Sequence, residues 1–220
     1  MMVLNQFDRI AAVYDGLARL VFGQRLTRAQ EIYLSQILPR SRVLILGGGT
    51  GKIIGALKRV QPDCRVIFIE ASQAMLQRAK DRNKALAGIE FIHGTEQSIP
   101  PGALYDVVIT PFYLDMFPED QLREVIKHVG LTLDIHGKWL VTDFYSPTTI
   151  GQRWLERIMY LFFRVTTGIS AKSLPDWKAS LRDNGWIEKN HARDGFIESA
   201  VFVRGQLSAA EMTRRASRST

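Results

Sequence analysis

The sequence predicts an α/β fold, a mostly parallel sheet with helices on both faces. Three observations point to it. Short, wholly apolar runs such as Val43–Leu46 and Val66–Ile69 are separated by stretches of helical apolar spacing, which is how strands buried on both faces read. The first run ends in Gly47, Gly48 and Gly49, and a helical pattern starts at Lys52. Near the far end, Asp194-Gly195 joins two apolar-alternating runs, a strong hairpin signal that implies an antiparallel last strand.

The elements follow in order. Residues 5–38 read as two helices. Ile10, Val13, Tyr14, Leu17 and Leu20 or Val21 keep 3.6-residue spacing until Phe22-Gly23 breaks it. Thr27 is the expected N-cap of the second helix, which runs to Leu38 before Pro39 stops it. Strand 43–46 is too short and too branched for a helix, and the glycine turn after it brings bare backbone to a ligand. Helix 52–60 places Ile53, Ile54, Leu57 and Val60 on one side. Strand 65–69 ends in Glu70, and Ser72 caps a helix over 72–85 with Met75, Leu76 and Ala79 facing in. Strand 89–92 leads into the loop His93–Pro100, and strand 106–110 opens into Pro111–Pro118. Helix 119–130 and strand 138–142 follow, the latter ending at Asp143-Phe144-Tyr145. Pro175 and Asn184-Gly185 bound a helix over 175–184, and the hairpin strands are 186–192 and 196–204. Residues 1–206 read as one domain and 207–220 as a flexible tail.

The glycine loop decides among ligands by its spacing. A P-loop needs glycine where Leu46 stands and Ser or Thr where Ile53 stands. The dinucleotide fingerprint needs a small residue in place of Lys52. What remains is Gly47-x-Gly49-x-Gly51, with Glu70 nineteen residues further on at the tip of the next strand. A carboxylate there accepts hydrogen bonds from ribose hydroxyls.

The loop from Leu46 to Gly51, with Glu70-Ala71-Ser72 and Met75-Leu76, resembles the class I S-adenosylmethionine-dependent methyltransferases. Phe7 to Asp15 resembles the opening of the menaquinone and ubiquinone C-methyltransferase branch, and the likeness runs roughly over residues 7 to 204. The resemblance implies a Rossmann-like seven-stranded sheet of order 3-2-1-4-5-7-6, strand 7 antiparallel, and S-adenosyl-L-methionine as cofactor. It implies cofactor contacts at Gly47, Gly49, Thr50, Gly51, Glu70, Ala71, Thr95, Glu96 and Thr110, with Tyr14 on a helix folding over the site. Thr95 stands where the family usually has Asp or Asn against the adenine. Beyond strand four, Tyr113 and Asp115 are the candidate proton acceptors. Two departures matter. The acidic residue common at the end of strand one is Leu46 here. The loop that resembles Ser-Phe-Gly-Leu-Arg-Asn in the quinone branch is Thr-Pro-Phe-Tyr-Leu-Asp at 110–115, so a quinone substrate is not carried over.

The rest of the composition narrows the partners. The apolar fraction of 46% and charged fraction of 23% suit a soluble globule. The net charge of +7 admits nucleic acid, but no basic patch interleaved with aromatics accompanies it. Four histidines and one cysteine form no ligand cluster, so no metal is expected, and Cys64 reads as a core residue. No signal pattern or long apolar run appears, which makes the cytoplasm the expected location. Residues 150–168 carry Trp154, Met159, Phe162 and Phe163 with Arg153, Arg157 and Arg164. They read as a two-sided packing helix or homodimer contact, or as a lid over a small lipophilic acceptor that also touches membrane through its arginines. The competing functions are a nucleic-acid methyltransferase and a non-catalytic S-adenosylmethionine-binding protein on the same fold.

Overall fold

The structure, a computed structural model, describes residues 24–145 and 175–205. Its helices are α1 (Arg25–Glu31), α2 (Lys52–Val60), α3 (Gln73–Arg82), α4 (Glu119–Leu131) and α5 (Trp177–Asp183). Its strands are β1 (Arg42–Leu46), β2 (Arg65–Glu70), β3 (Ile89–His93), β4 (Tyr105–Pro111), β5 (Leu133–Phe144), β6 (Trp186–Asp194) and β7 (Ile197–Arg204). They form one sheet in the order β3-β2-β1-β4-β5-β7-β6. β1 to β5 pair in parallel, and β7 runs antiparallel to both β5 and β6. This is the expected order and orientation.

Alternation along β1 explains why its run is apolar throughout. Val43 and Ile45 enter a core with α2 and α3, whereas Leu44 and Leu46 enter one with α4 and α5. All four are fully buried. The edge strand β3 is only half-buried, and β6 alternates more weakly still. Cys64 is buried in the α2–α3 core, where burial raises its thiol pKa.

Four boundaries differ most from expectation. Thr27 lies inside α1 and does not cap it, because the helix begins at Arg25 after Gln24, with no side-chain cap. That helix stops at Glu31 rather than Leu38. A 3₁₀ turn, Leu34–Gln36, follows, and its tighter winding lets Leu34 and Ile37 both drop into the core. α3 ends at Arg82 because Asn83 folds back, its side chain donating to Ala79 O at 2.8 Å and to Gly51 O at 3.1 Å. β5 begins at Leu133, five residues before the expected 138. Its first half carries Asp134 and His136 and joins β4 through Tyr105, with a register shift before Val107. Leu133 alone of that part enters the core, opposite Tyr105, so no apolar run announces it. Tyr14, the 150–168 segment and the tail lie outside the described residues.

Candidate active site

The carboxyl ends of the parallel strands β1 to β5 lie side by side and bring their loops together. The loop after β1 is set by its glycines. Gly47, Gly49 and Gly51 have φ of 71°, 57° and 71°, the left-handed region that other residues avoid. Gly49 is the open one: a Cβ built on it meets nothing nearer than Met75 Sδ at 3.9 Å. A Cβ on Gly47 would strike the ring of Tyr113 at 2.5 Å. Thr50 is buried behind the turn.

Glu70 reaches this loop from the end of β2. Its Oε2 accepts the Gly49 N–H and its Oε1 the Ser72 N–H, each at 2.9 Å. Burial raises its pKa, against the pull of those backbone donors and of His93. Each oxygen keeps a lone pair for a further donor. Ser72 caps α3 as expected, accepting the Met75 N–H at 3.2 Å. His93 contacts the Ala71 carbonyl at 2.9 Å, a hydrogen-bonded surface histidine.

The third loop carries Thr95, exposed, whose Oγ1 accepts the Gln97 N–H at 3.4 Å. Glu96 beside it is buried and committed: Tyr113 donates its hydroxyl proton to Glu96 Oε2 at 2.6 Å, and Gln97 Nε2 donates to Oε1. Burial, then the adjacent Glu96 charge, pushes the Tyr113 pKa well above its ordinary value. A phenol so placed braces two loops and is the poorer of the two expected proton acceptors. Thr110 is a correction. It is fully buried and accepts the Trp139 Nε1–H at 3.0 Å, so its hydroxyl serves the core and not a ligand. Asp115, half-buried on the 3₁₀ turn Leu114–Met116, stays at the mouth of the site. Burial raises its pKa to about 6.

Two residues that hold this site together had no assigned role in the sequence reading. Asn83 ties α3 to the glycine loop through Gly51. Asp143, at the end of β5, accepts the Leu114 N–H at 2.9 Å. The acidic end of β5 was visible, but what it meets across the fold was not.

The residues fit a cofactor with an adjacent pair of hydroxyls. Gly49 leaves a gap that a side chain would fill, and the Glu70 carboxylate stands beside it on the Gly49 N–H. Among the described residues no group of three His, Cys, Asp or Glu could hold a metal. Among them, too, no helix is long and apolar enough to cross a membrane.

The sheet order, with its antiparallel β7, is that of the Rossmann-like methyltransferase fold. Residues 43–137 match the family described as "Methyltransferase domain", and the chain carries that domain. It is 31% identical over 154 residues to the ubiquinone/menaquinone biosynthesis C-methyltransferase UbiE of Ectopseudomonas mendocina (strain ymp), over 66% of this chain and 59% of that protein. The chain thus spans less than two thirds of the length of such relatives. Among solved structures it superposes on an O-methyltransferase family protein from Burkholderia thailandensis with a TM-score of 0.71 and 18% identity, over 91% of this chain and 61% of that one. LepI in complex with S-adenosylmethionine gives a TM-score of 0.59 at 20% identity, over 75% and 43%. At such identities the superpositions speak for the fold.

Proposed function

We propose that this chain transfers the methyl group of S-adenosylmethionine to a small, lipophilic acceptor, by C- or O-methylation, with residues 1–206 acting as one domain. The observation that carries the reading is the Glu70 carboxylate on the Gly49 N–H, at the one open glycine between two strand ends. There Glu70 accepts the two ribose hydroxyls, while Gly47 to Gly51 bring bare backbone to the methionine end and Thr95 faces the adenine. When bound, the cofactor supplies a methyl carbon already activated by its sulfonium. The protein's share is then mainly alignment of acceptor and methyl group for in-line displacement, which contributes about 7–11 kcal/mol.

The acceptor side supports a lipophilic substrate. Phe112, Phe144 and Phe196 form a row beyond β4, β5 and β7, with ring centroids 4.9 and 5.3 Å apart. Asp115 follows Phe112 by three residues, and a pKa of about 6 suits it to take a proton from a carbon or phenolic acceptor. The relatives named for ubiquinone/menaquinone biosynthesis agree with a lipophilic acceptor. Isothermal titration of the full chain with S-adenosylhomocysteine tests the cofactor reading. The expected result is saturable binding that NAD neither matches nor displaces, and no heat with S-adenosylhomocysteine would overturn it. Binding without methyl transfer to any phenol or quinol in a panel would favour the non-catalytic alternative.

A further inference from the structure

Two carboxyl groups meet beyond the ends of β4 and β5. Asp143 is fully buried, and its Oδ2 accepts the Leu114 N–H. No N–H or O–H among the described residues reaches its Oδ1. Its side chain lies against Asp115, the residue after Leu114, and meets both the carboxyl and the backbone N–H of that residue. Ionised carboxylates only accept, so two in contact away from water repel, and the contact is attractive only when one of them carries a proton.

Among the described residues, the neighbouring charges offer no other way to neutralise the pair. Glu198 of β7 lies directly opposite Asp143 in the strand register. It adds no cation and is held by Lys178 of α5 and Arg193 of β6. Arg193 also stacks over Tyr145, two residues after Asp143 and just past the end of β5. Tyr113, on the turn that carries Asp115, is turned to Glu96.

We infer that Asp143 is a positioning residue: it holds a proton, donates it as a hydrogen bond to Asp115, and so fixes Asp115 as the group that receives the acceptor's proton. This rests on the methyl-transfer reading above. The division of roles follows from depth. Burial, then the charge of Asp115, pushes Asp143 well above the carboxylate range, while the hydrogen bond from Asp143 restrains the rise that burial causes in Asp115. Asp115 therefore ionises first and stays the base. As the acceptor's electron pair forms the bond to the methyl carbon, the methyl–sulfur pair returns to sulfur and the displaced proton ends on an Asp115 oxygen. Asp143 keeps its own proton throughout.

Carboxyl titration of the full chain without ligand tests this, by infrared and carbon NMR, for the wild type, Asp143→Asn and Asp143→Leu. The wild type should show a protonated aspartate at neutral pH, and Asp143→Asn should abolish that signal. The Asp115 midpoint, about 6 in the wild type, should hold in Asp143→Asn, whose amide donates in place of the hydroxyl. It should rise by about one pH unit in Asp143→Leu, which has no donor. A residue that merely fills space would leave both variants alike. Two ionised carboxyls at neutral pH, or one midpoint shared by both variants, would overturn the inference. Should Asp143→Leu not fold, the protonated signal and its loss in Asp143→Asn decide alone. Because no cofactor is present, failure here with intact S-adenosylhomocysteine binding refutes only the proton pair. A protonated pair without such binding refutes the cofactor reading instead.

Discussion

Glu70→Ala separates what the carboxylate does for the loop from what it does for the ligand. In the free protein it accepts two backbone N–H groups at 2.9 Å, and hydrogen bonds to a charged acceptor are worth about 1.5–3 kcal/mol each. Gly49 is half-buried, so water replaces most of its bond, whereas the Ser72 bond lies in the buried interior. The carboxylate is itself costly to bury, as its raised pKa shows, and removing it returns part of the loss. The net expectation is a stability loss of about 1–3 kcal/mol in urea denaturation, with the fold retained. Affinity for S-adenosylhomocysteine should drop at least about tenfold, or ~1.4 kcal/mol, since two ribose hydroxyls lose their acceptor. Glu70→Gln is the companion. Its Oε1 still accepts one N–H, while its amide sets a donor against the other, so loop stability falls without a cavity. A Glu70→Ala protein that binds S-adenosylhomocysteine like the wild type would refute the placement of the ribose. One that loses affinity but no stability would refute the account of the loop.

Two further substitutions test the frame behind the site. In Gly48→Ala the new Cβ would stand 2.3 Å from Phe68 Cε2 and 3.1 Å from Ile45 Cγ2, both in buried rings or branches. Overpacking of this kind costs about 1–3 kcal/mol, read as a lower urea midpoint at unchanged slope, and an unchanged midpoint would show the loop free to shift. Lys178→Met removes a buried ammonium that joins Glu198 to Glu188, leaving Arg193 at 2.7 Å as the cation on fully buried Glu198. A loss of about 3 kcal/mol is expected. The double variant Lys178→Met, Glu198→Leu should recover much of it, and no recovery would argue against a desolvated charge as the cause.

β1 to β4 were legible to within a residue or two because strands buried on both faces write their position as unbroken apolar runs. The first half of β5 was not, since Asp134 and His136 obey no such pattern and the strand there exists through backbone pairing with Tyr105. The end of α1 was misread for a related reason. The pull of Leu34 and Ile37 into the core decides it, and no local cap does.

The site divides along the same line. Glycine spacing and the acidic residue at the end of β2 are local properties: positive φ needs glycine, and a strand end is where the chain turns toward a ligand. These alone determined the fold class and the edge of the sheet where a cofactor belongs. Which polar side chains remain available there was decided only in three dimensions. Thr110 looked free until Trp139, 29 residues on, donated to it from the next strand. Tyr113 looked like a base until its hydroxyl was found donating to Glu96, which keeps the phenol protonated. Asp115, a candidate from the sequence, and Asp143, which had no assigned role, are brought together by the parallel pairing of β4 and β5. A hydrogen bond is a property of two groups and of the water excluded around them, and here the second group lies on another strand.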